Sequence, residues 1–182
     1  MTIKCSVFIA TSLDGFIARK NGEIDWLIAS ANEEGEDYGY GEFIDTVDTL
    51  VMGRNTYELA LTFKEWPYEG KRLVVLSGRS PIIPKSLQES VEISSLAPAE
   101  VIRHLSEQGA RHVYVDGGNT IQGFLNAGLI HEMTITRIPL ILGEGISLFG
   151  NMGRDIKLQH IATRVYGNGF VQSKYEVVGA AE

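Results

Sequence analysis

The segment His112-Val113-Tyr114-Val115-Asp116-Gly117-Gly118-Asn119-Thr120-Ile121-Gln122-Gly123-Phe124-Leu125 constrains this chain more than any other. Residues suited to a buried strand run into a Gly-Gly pair, and apolar residues then recur at helical spacing at Ile121, Phe124 and Leu125. The pattern predicts a strand, a tight turn and a helix N-terminus in succession. Unpaired N–H groups and the helix dipole at such a turn favour an anion, and paired glycines let it approach the backbone. A βα loop that merely needs positive φ has the same signature, so the segment alone leaves both readings open.

The rest of the chain supplies a sheet around that segment. Residues 3–10 predict a first strand, apolar from Val7 onward and therefore central. Residues 11–22 carry Asp14-Gly15 and Asn21-Gly22, the turn signals of either a surface hairpin or a mobile flap over a ligand. An acidic stretch through Glu36 and Asp37 leads into a helix bearing Tyr40, Phe43, Ile44 and Val47. Residues 48–53 predict a second strand that turns at Arg54-Asn55-Thr56 into another helix, and residues 73–76 a third strand ending at Ser77-Gly78-Arg79. A short strand at 91–93 and a helix from Ala97-Pro98 to Leu105 precede the opening segment. Beyond Gly128, residues 132–138, 156–165 and 170–178 predict strands, the last two joined by a turn at Gly167-Asn168-Gly169. Strand–helix alternation followed by an antiparallel hairpin gives an α/β fold. The expected architecture is a mixed, mostly parallel central sheet with helices on both faces. At 182 residues and 44% hydrophobic, with no repeat or linker, the chain is expected to form one domain over 1–182.

Charge and motif content narrow the chemistry. Net charge is −7 with no basic stripe, so neither nucleic acid nor an anionic membrane is expected as a partner. A single cysteine, Cys5, rules out an internal disulfide, and the apolar run Val7-Phe8-Ile9-Ala10 is too short for a signal sequence or membrane span. The expected location is the cytoplasm. His104, His112, His131 and His160 are scattered without ligand spacing, so no metal is expected. P-loop, Gly-x-Gly-x-x-Gly and Gly-x-Ser-x-Gly motifs do not occur, which leaves transfer chemistry driven by a bound cofactor. Four predicted strands end in Ala10-Thr11, Gly53-Arg54-Asn55-Thr56, Leu76-Ser77-Gly78-Arg79 and Asp116 to Thr120. Ligands of open α/β sheets lie outside the carboxyl ends of strands. Two arginines, several hydroxyls and a glycine turn on one edge describe a pocket for a ligand with several phosphates.

These motifs, in this order, resemble the dihydrofolate reductase fold over nearly the whole chain, and most closely the reductase domain of bacterial riboflavin biosynthesis. Ala10, Asp14, Ile17 and Trp26 match the first strand and its loop, and Met52-Gly53-Arg54-Asn55-Thr56 matches the Met-Gly-Arg-x-Thr motif. Leu76-Ser77 and Gly117-Gly118 match the later turns, while Ile138-Pro139-Leu140-Ile141-Leu142-Gly143-Glu144-Gly145 favours the riboflavin branch. The resemblance implies a homodimeric, NADPH-dependent reductase of a small heterocyclic or carbonyl substrate. It implies that Gly53, Arg54, Asn55, Thr56, Leu76, Ser77, Gly117, Gly118, Asn119, Thr120 and Ile121 hold the cofactor, with Arg54, Ser77 and Arg79 toward its 2′-phosphate. Ala10, Ile17, Asn21, Gly22 and Ile24 would line the nicotinamide side.

The resemblance also places Asp37 at catalysis, accompanied by Trp26 and Thr136, with burial raising the Asp37 pKa. The plainer alternatives are a solvated acid at a helix start and a solvent-facing strand threonine. Between Asn21 and Gly53 there are nine acids and no Lys or Arg, where a sugar-phosphate substrate would need a cation. True dihydrofolate reductase activity and a non-catalytic nucleotide-binding dimer stand as alternatives. The arginine assignment is directly testable. Arg54→Ala should weaken NADPH binding in calorimetry roughly tenfold or more, and NADH binding far less. Equal losses for the two cofactors contradict it.

Overall fold

The computed structural model describes residues 3–31 and 35–180. Its strands are β1 (Lys4–Thr11), β2 (Phe16–Ala18), β3 (Thr49–Gly53), β4 (Arg72–Leu76), β5 (Val91–Ser94), β6 (His112–Asp116), β7 (Glu132–Arg137), β8 (Ile146–Ser147), β9 (Leu158–Val165) and β10 (Val171–Val177). The helices are α1 (Asp25–Ser30), α2 (Tyr40–Thr46), α3 (Arg54–Ala60), α4 (Pro98–Glu107) and α5 (Gly118–Asn126). Eight strands form one sheet in the order β5-β4-β3-β6-β1-β7-β10-β9. All neighbours from β5 to β7 pair in parallel, whereas β10 runs antiparallel to both β7 and β9. The fold is the mixed α/β arrangement that the strand–helix alternation predicts.

Period-two alternation builds two cores, one on each face of the sheet. Val51, Val74, Val113 and Val115 point to one face, where α4 contributes Val101 and Leu105 and α5 contributes Ile121, Phe124 and Leu125. Leu50, Met52, Leu73, Val75 and Tyr114 point to the other, beneath Tyr57 and Ala60 of α3 and Tyr40, Phe43 and Ile44 of α2. Each large apolar side chain so buried contributes roughly 1.5–3 kcal/mol. Cys5 is fully buried in the first of these cores, and burial pushes its thiol up to about 12, so it packs as a small inert residue. A third cluster, Trp26, Ile138, Tyr166 and Phe170, closes the β10 side.

Two features depart from the sequence expectation. Residues 11–22 contain strand β2, which pairs with β8 in a separate two-stranded ladder. Neither strand is long enough to leave a periodic signal, and the partners lie far apart in sequence. Asp14 latches the same region: its carboxylate accepts hydrogen bonds from Ser12 Oγ (2.6 Å), Leu142 N (3.1 Å) and Gly143 N (2.8 Å). The loop is thereby tied to residues 140–143. The Asp14 carboxyl is held below its ordinary pKa, foremost by the Ser12 hydroxyl. At the far side, β9 begins at Leu158, not at 156, and forms the outer edge of the sheet with every residue exposed.

Candidate active-site cleft

A cleft of about 730 Å³ opens at the carboxyl ends of β1, β3 and β6. Sheet register explains why it forms there. β6 lies between β3 and β1, and Met52 pairs with Asp116, so β3 and β6 end at the same height. Each runs directly into a helix, α3 at Arg54 and α5 at Gly118. The two helix starts abut: a Cβ on Gly117 would lie 2.5 Å from Thr56 Oγ1, and one on Gly53 would lie 3.2 Å from Thr120 Oγ1. Gly117 also has φ of +89°, so glycine is required there on both grounds. No side chain caps α5, and its first hydrogen bond runs from Ile121 N to Gly117 O (2.8 Å). The N–H groups of Gly118, Asn119 and Thr120 are therefore left for an anion in the cleft. Arg54 lines the same end, partly exposed, with Nη1 3.5 Å from Glu58 Oε1.

Part of the cleft lining is aromatic. Phe8, Tyr40, Tyr68 and Tyr114 line it, with Leu59, Phe63 and Pro67. Behind them Phe43 stacks on Phe8 at 5.0 Å between ring centroids and meets Tyr114 edge-on at 5.0 Å. The Tyr114 hydroxyl donates to the Phe8 carbonyl (2.8 Å). Asp116 lines the cleft beside the glycine turn, its Oδ1 accepting from Gly117 N (2.8 Å). Asp116 keeps part of its surface open to the cleft, yet its carboxyl is enclosed by protein. Burial pushes its pKa up to about 6, against smaller lowering by the Gly117 N–H and the Tyr114 hydroxyl. Asp116 is the sole acid, and Arg54 the sole cation, among the described lining residues.

Most of the predicted cofactor residues meet in this cleft. Gly53, Arg54, Asn55 and Thr56 line it from α3, Gly117, Gly118, Asn119 and Thr120 from α5, and Leu76 from β4. Ala10, Ile17, Gly22 and Ile24 also line it. Four predicted residues lie outside. Ser77 Oγ accepts from Arg79 N (3.0 Å) in the turn after β4, and Arg79 is exposed. Asn21 accepts from Glu23 N (3.1 Å) in its own turn, and Ile121 is buried in the core under α5.

The predicted catalytic group does not line the cleft. Asp37 lies outside the cleft and is exposed, with Oδ1 accepting from Gly39 N and Oδ2 from Gly41 N, both at 2.8 Å. Those backbone bonds lower its pKa, opposite to the rise expected from burial. It acts as the solvated acid at the start of α2, which begins at Tyr40, and Tyr40 is what α2 presents to the cleft. Trp26 is buried against Ile138, Tyr166 and Phe170, and its Nε1 has no partner among the described residues. Thr136 is also buried and accepts from Gln172 Nε2 (2.9 Å), which fits neither a catalytic nor a solvent-facing role. The carboxylate that does reach the cleft, Asp116, was signalled by a lone acid ending an apolar strand before Gly-Gly.

Asp116 makes stability depend on pH. Its folded pKa of about 6 exceeds the unfolded value of about 3.9, so the folded state holds the proton more tightly. Stability from this group is full below the unfolded pKa and is lost as pH rises through 6, by on the order of 3 kcal/mol. Asp116→Asn keeps the acceptor for Gly117 and removes the titration. Its Tm should exceed that of the wild type at pH 8, and the gap should close by pH 4. A gap that does not change with pH contradicts the assignment.

The histidines hold structure. His112 Nε2 lies 2.8 Å from Ser6 Oγ, between β6 and β1, and Cys5 N donates to His131 Nδ1 (3.0 Å). Among the described residues, no cluster of His, Cys, Asp and Glu could hold a metal, and no helix is long and apolar enough to cross a membrane.

Comparison with known proteins agrees with this geometry. The model of the RibD C-terminal domain matches residues 4–172. A Bacillus subtilis (strain 168) protein, "Uncharacterized protein YwjB", is 37% identical over 179 residues, covering 96% of this chain and 98% of its own. A solved structure from Shewanella sp. PV-4, provisionally named a riboflavin biosynthesis protein, is 39% identical with a TM-score of 0.89, covering 96% of this chain and 99% of that one. The deaminase/5-amino-6-(5-phosphoribosylamino)uracil reductase of Thermotoga maritima shares the fold at 13% identity and a TM-score of 0.73, covering 97% of this chain and 57% of that one. The chain belongs to the RibD C-terminal domain family, the reductase type of the riboflavin pathway.

Proposed function

We propose that this protein is an NADPH-dependent reductase in which Asp116 is the proton donor. The observation that carries the reading is the meeting of the α3 and α5 starts, with Arg54, at one end of a cleft whose single acid is half-titrated near pH 6. The residues fit the cofactor. The free N–H groups of Gly118, Asn119 and Thr120 would hold its phosphates, the Arg54 guanidinium would meet the 2′-phosphate, and Gly117 leaves the approach clear. NADPH, when bound, supplies a hydride to the electron-poor carbon of a C=N or C=O bond. Ala10, Ile17, Ile24 and Ile146 add apolar lining, with Ile17 and Ile146 packed close to Gly118.

Protonated Asp116 would donate its proton to the nitrogen or oxygen of the same bond, and regain it from solvent. Hydride and proton together reduce the double bond. The name of the Thermotoga relative and the family match support this type of reaction. With the best substrate from a panel of pyrimidine ribosides, pterins and dihydrofolate, Asp116→Asn should lower kcat about a hundredfold and leave NADPH affinity unchanged. Wild-type kcat should be level below pH 6 and fall roughly tenfold per unit well above it. Full turnover by the variant rules out Asp116 as the donor. NADPH binding without turnover across the panel points to a nucleotide-binding module and overturns the reductase reading.

A further inference from the structure

We infer that the aromatic part of the cleft, lined by Tyr40, Tyr68, Tyr114, Phe8 and Phe63 beside Asp116, takes a planar uncharged ring that carries no phosphate. This deepens the reductase reading, on which it rests, by naming the class of substrate. Phe8, Tyr40 and Tyr114 give this part an aromatic lining suited to a flat apolar ligand, with Phe8 and Tyr40 meeting edge-on at 5.7 Å. The Tyr40 and Tyr68 hydroxyls have no hydrogen-bond partner among the described residues, although Tyr68 is only 7% exposed. Both tyrosines lie close enough to Asp116 to feel its charge, which adds to the rise in pKa that burial causes. Three polar groups thus converge within an apolar enclosure. A ring edge carrying a carbonyl oxygen or ring nitrogen would accept hydrogen bonds from these hydroxyls.

A phosphate has no counter-charge in that part. Arg54 stands at the start of α3, beside Gly117. Lys71 donates to the Val47 carbonyl (2.8 Å), near the opposite end of the β3 strand. Lys64, on the loop that carries Phe63, is exposed and does not line the cleft. A phosphate dianion among these rings would meet Asp116 and no cation, and an unpaired buried charge costs several kcal/mol. The acidic, cation-free stretch from Asn21 to Gly53 adds none.

The test uses 5-amino-6-ribosylaminouracil and its 5′-phosphate, which differ only in the phosphate, titrated calorimetrically with and without NADPH. The unphosphorylated ring should bind at least tenfold tighter, and Lys64→Ala should leave that ratio unchanged. Tyr68→Phe should weaken the unphosphorylated ring roughly tenfold and leave NADPH affinity as it is. Equal or tighter binding of the phosphate, or a Tyr68→Phe protein that binds the ring as well as wild type, overturns the inference. Selection of the unphosphorylated ring by a protein that never binds NADPH would sink the reductase reading alone.

Discussion

The structure depends on one register. Because Met52 pairs with Asp116 in the parallel β3–β6 ladder, two strands stop at the same level and two helices start side by side. Neither helix start could come so close if residue 117 carried a side chain, since its Cβ would fall on the Thr56 hydroxyl. Unsatisfied backbone donors and a partly exposed guanidinium are thereby gathered at one place without any excess of positive charge over the whole molecule, whose net charge is −7. An anion held at this place would be held by local groups and not by the overall field.

The same register sets the character of Asp116. Ending β6 beneath the aromatic wall, its carboxyl is screened from water but stays in contact with the cleft. The cost of ionising it there is partly offset by the Gly117 N–H, so the group is poised near pH 6. The cleft lining holds one acid, beside Gly117, and one cation, among largely apolar residues. In the proposed reading phosphates take the glycine turn, Asp116 the proton transfer, and the aromatic part an uncharged ring.

Much of this was legible in the sequence, because it rests on local patterns. The strand–Gly-Gly–helix segment, the Met52 to Thr56 turn and the closing hairpin are contiguous, and each carries its own periodicity or turn chemistry. Their meeting in space followed from the rule that ligands gather at the carboxyl ends of parallel strands. The residues that fall outside the cleft have a common origin. The resemblance places Asp37 at catalysis, whereas α2 begins three residues later and the exposed Asp37 carboxylate accepts from Gly39 N and Gly41 N. Trp26 and Thr136 depend on pairing with Tyr166, Phe170 and Gln172, contacts across more than thirty positions that no local pattern records. The β2–β8 ladder was hidden for the same reason.

The central claim is that the α5 start, with Arg54, holds the phosphates of a dinucleotide. Backbone amide spectra of ¹⁵N-labelled protein during titration with NADP⁺ test it most directly. The account predicts the largest saturable shifts at Gly118, Asn119 and Thr120, with the Arg54 side-chain Nε–H moving alongside them. Shifts confined to the β9–β10 hairpin, or unchanged amides at Gly118 to Thr120 at saturation, would contradict it.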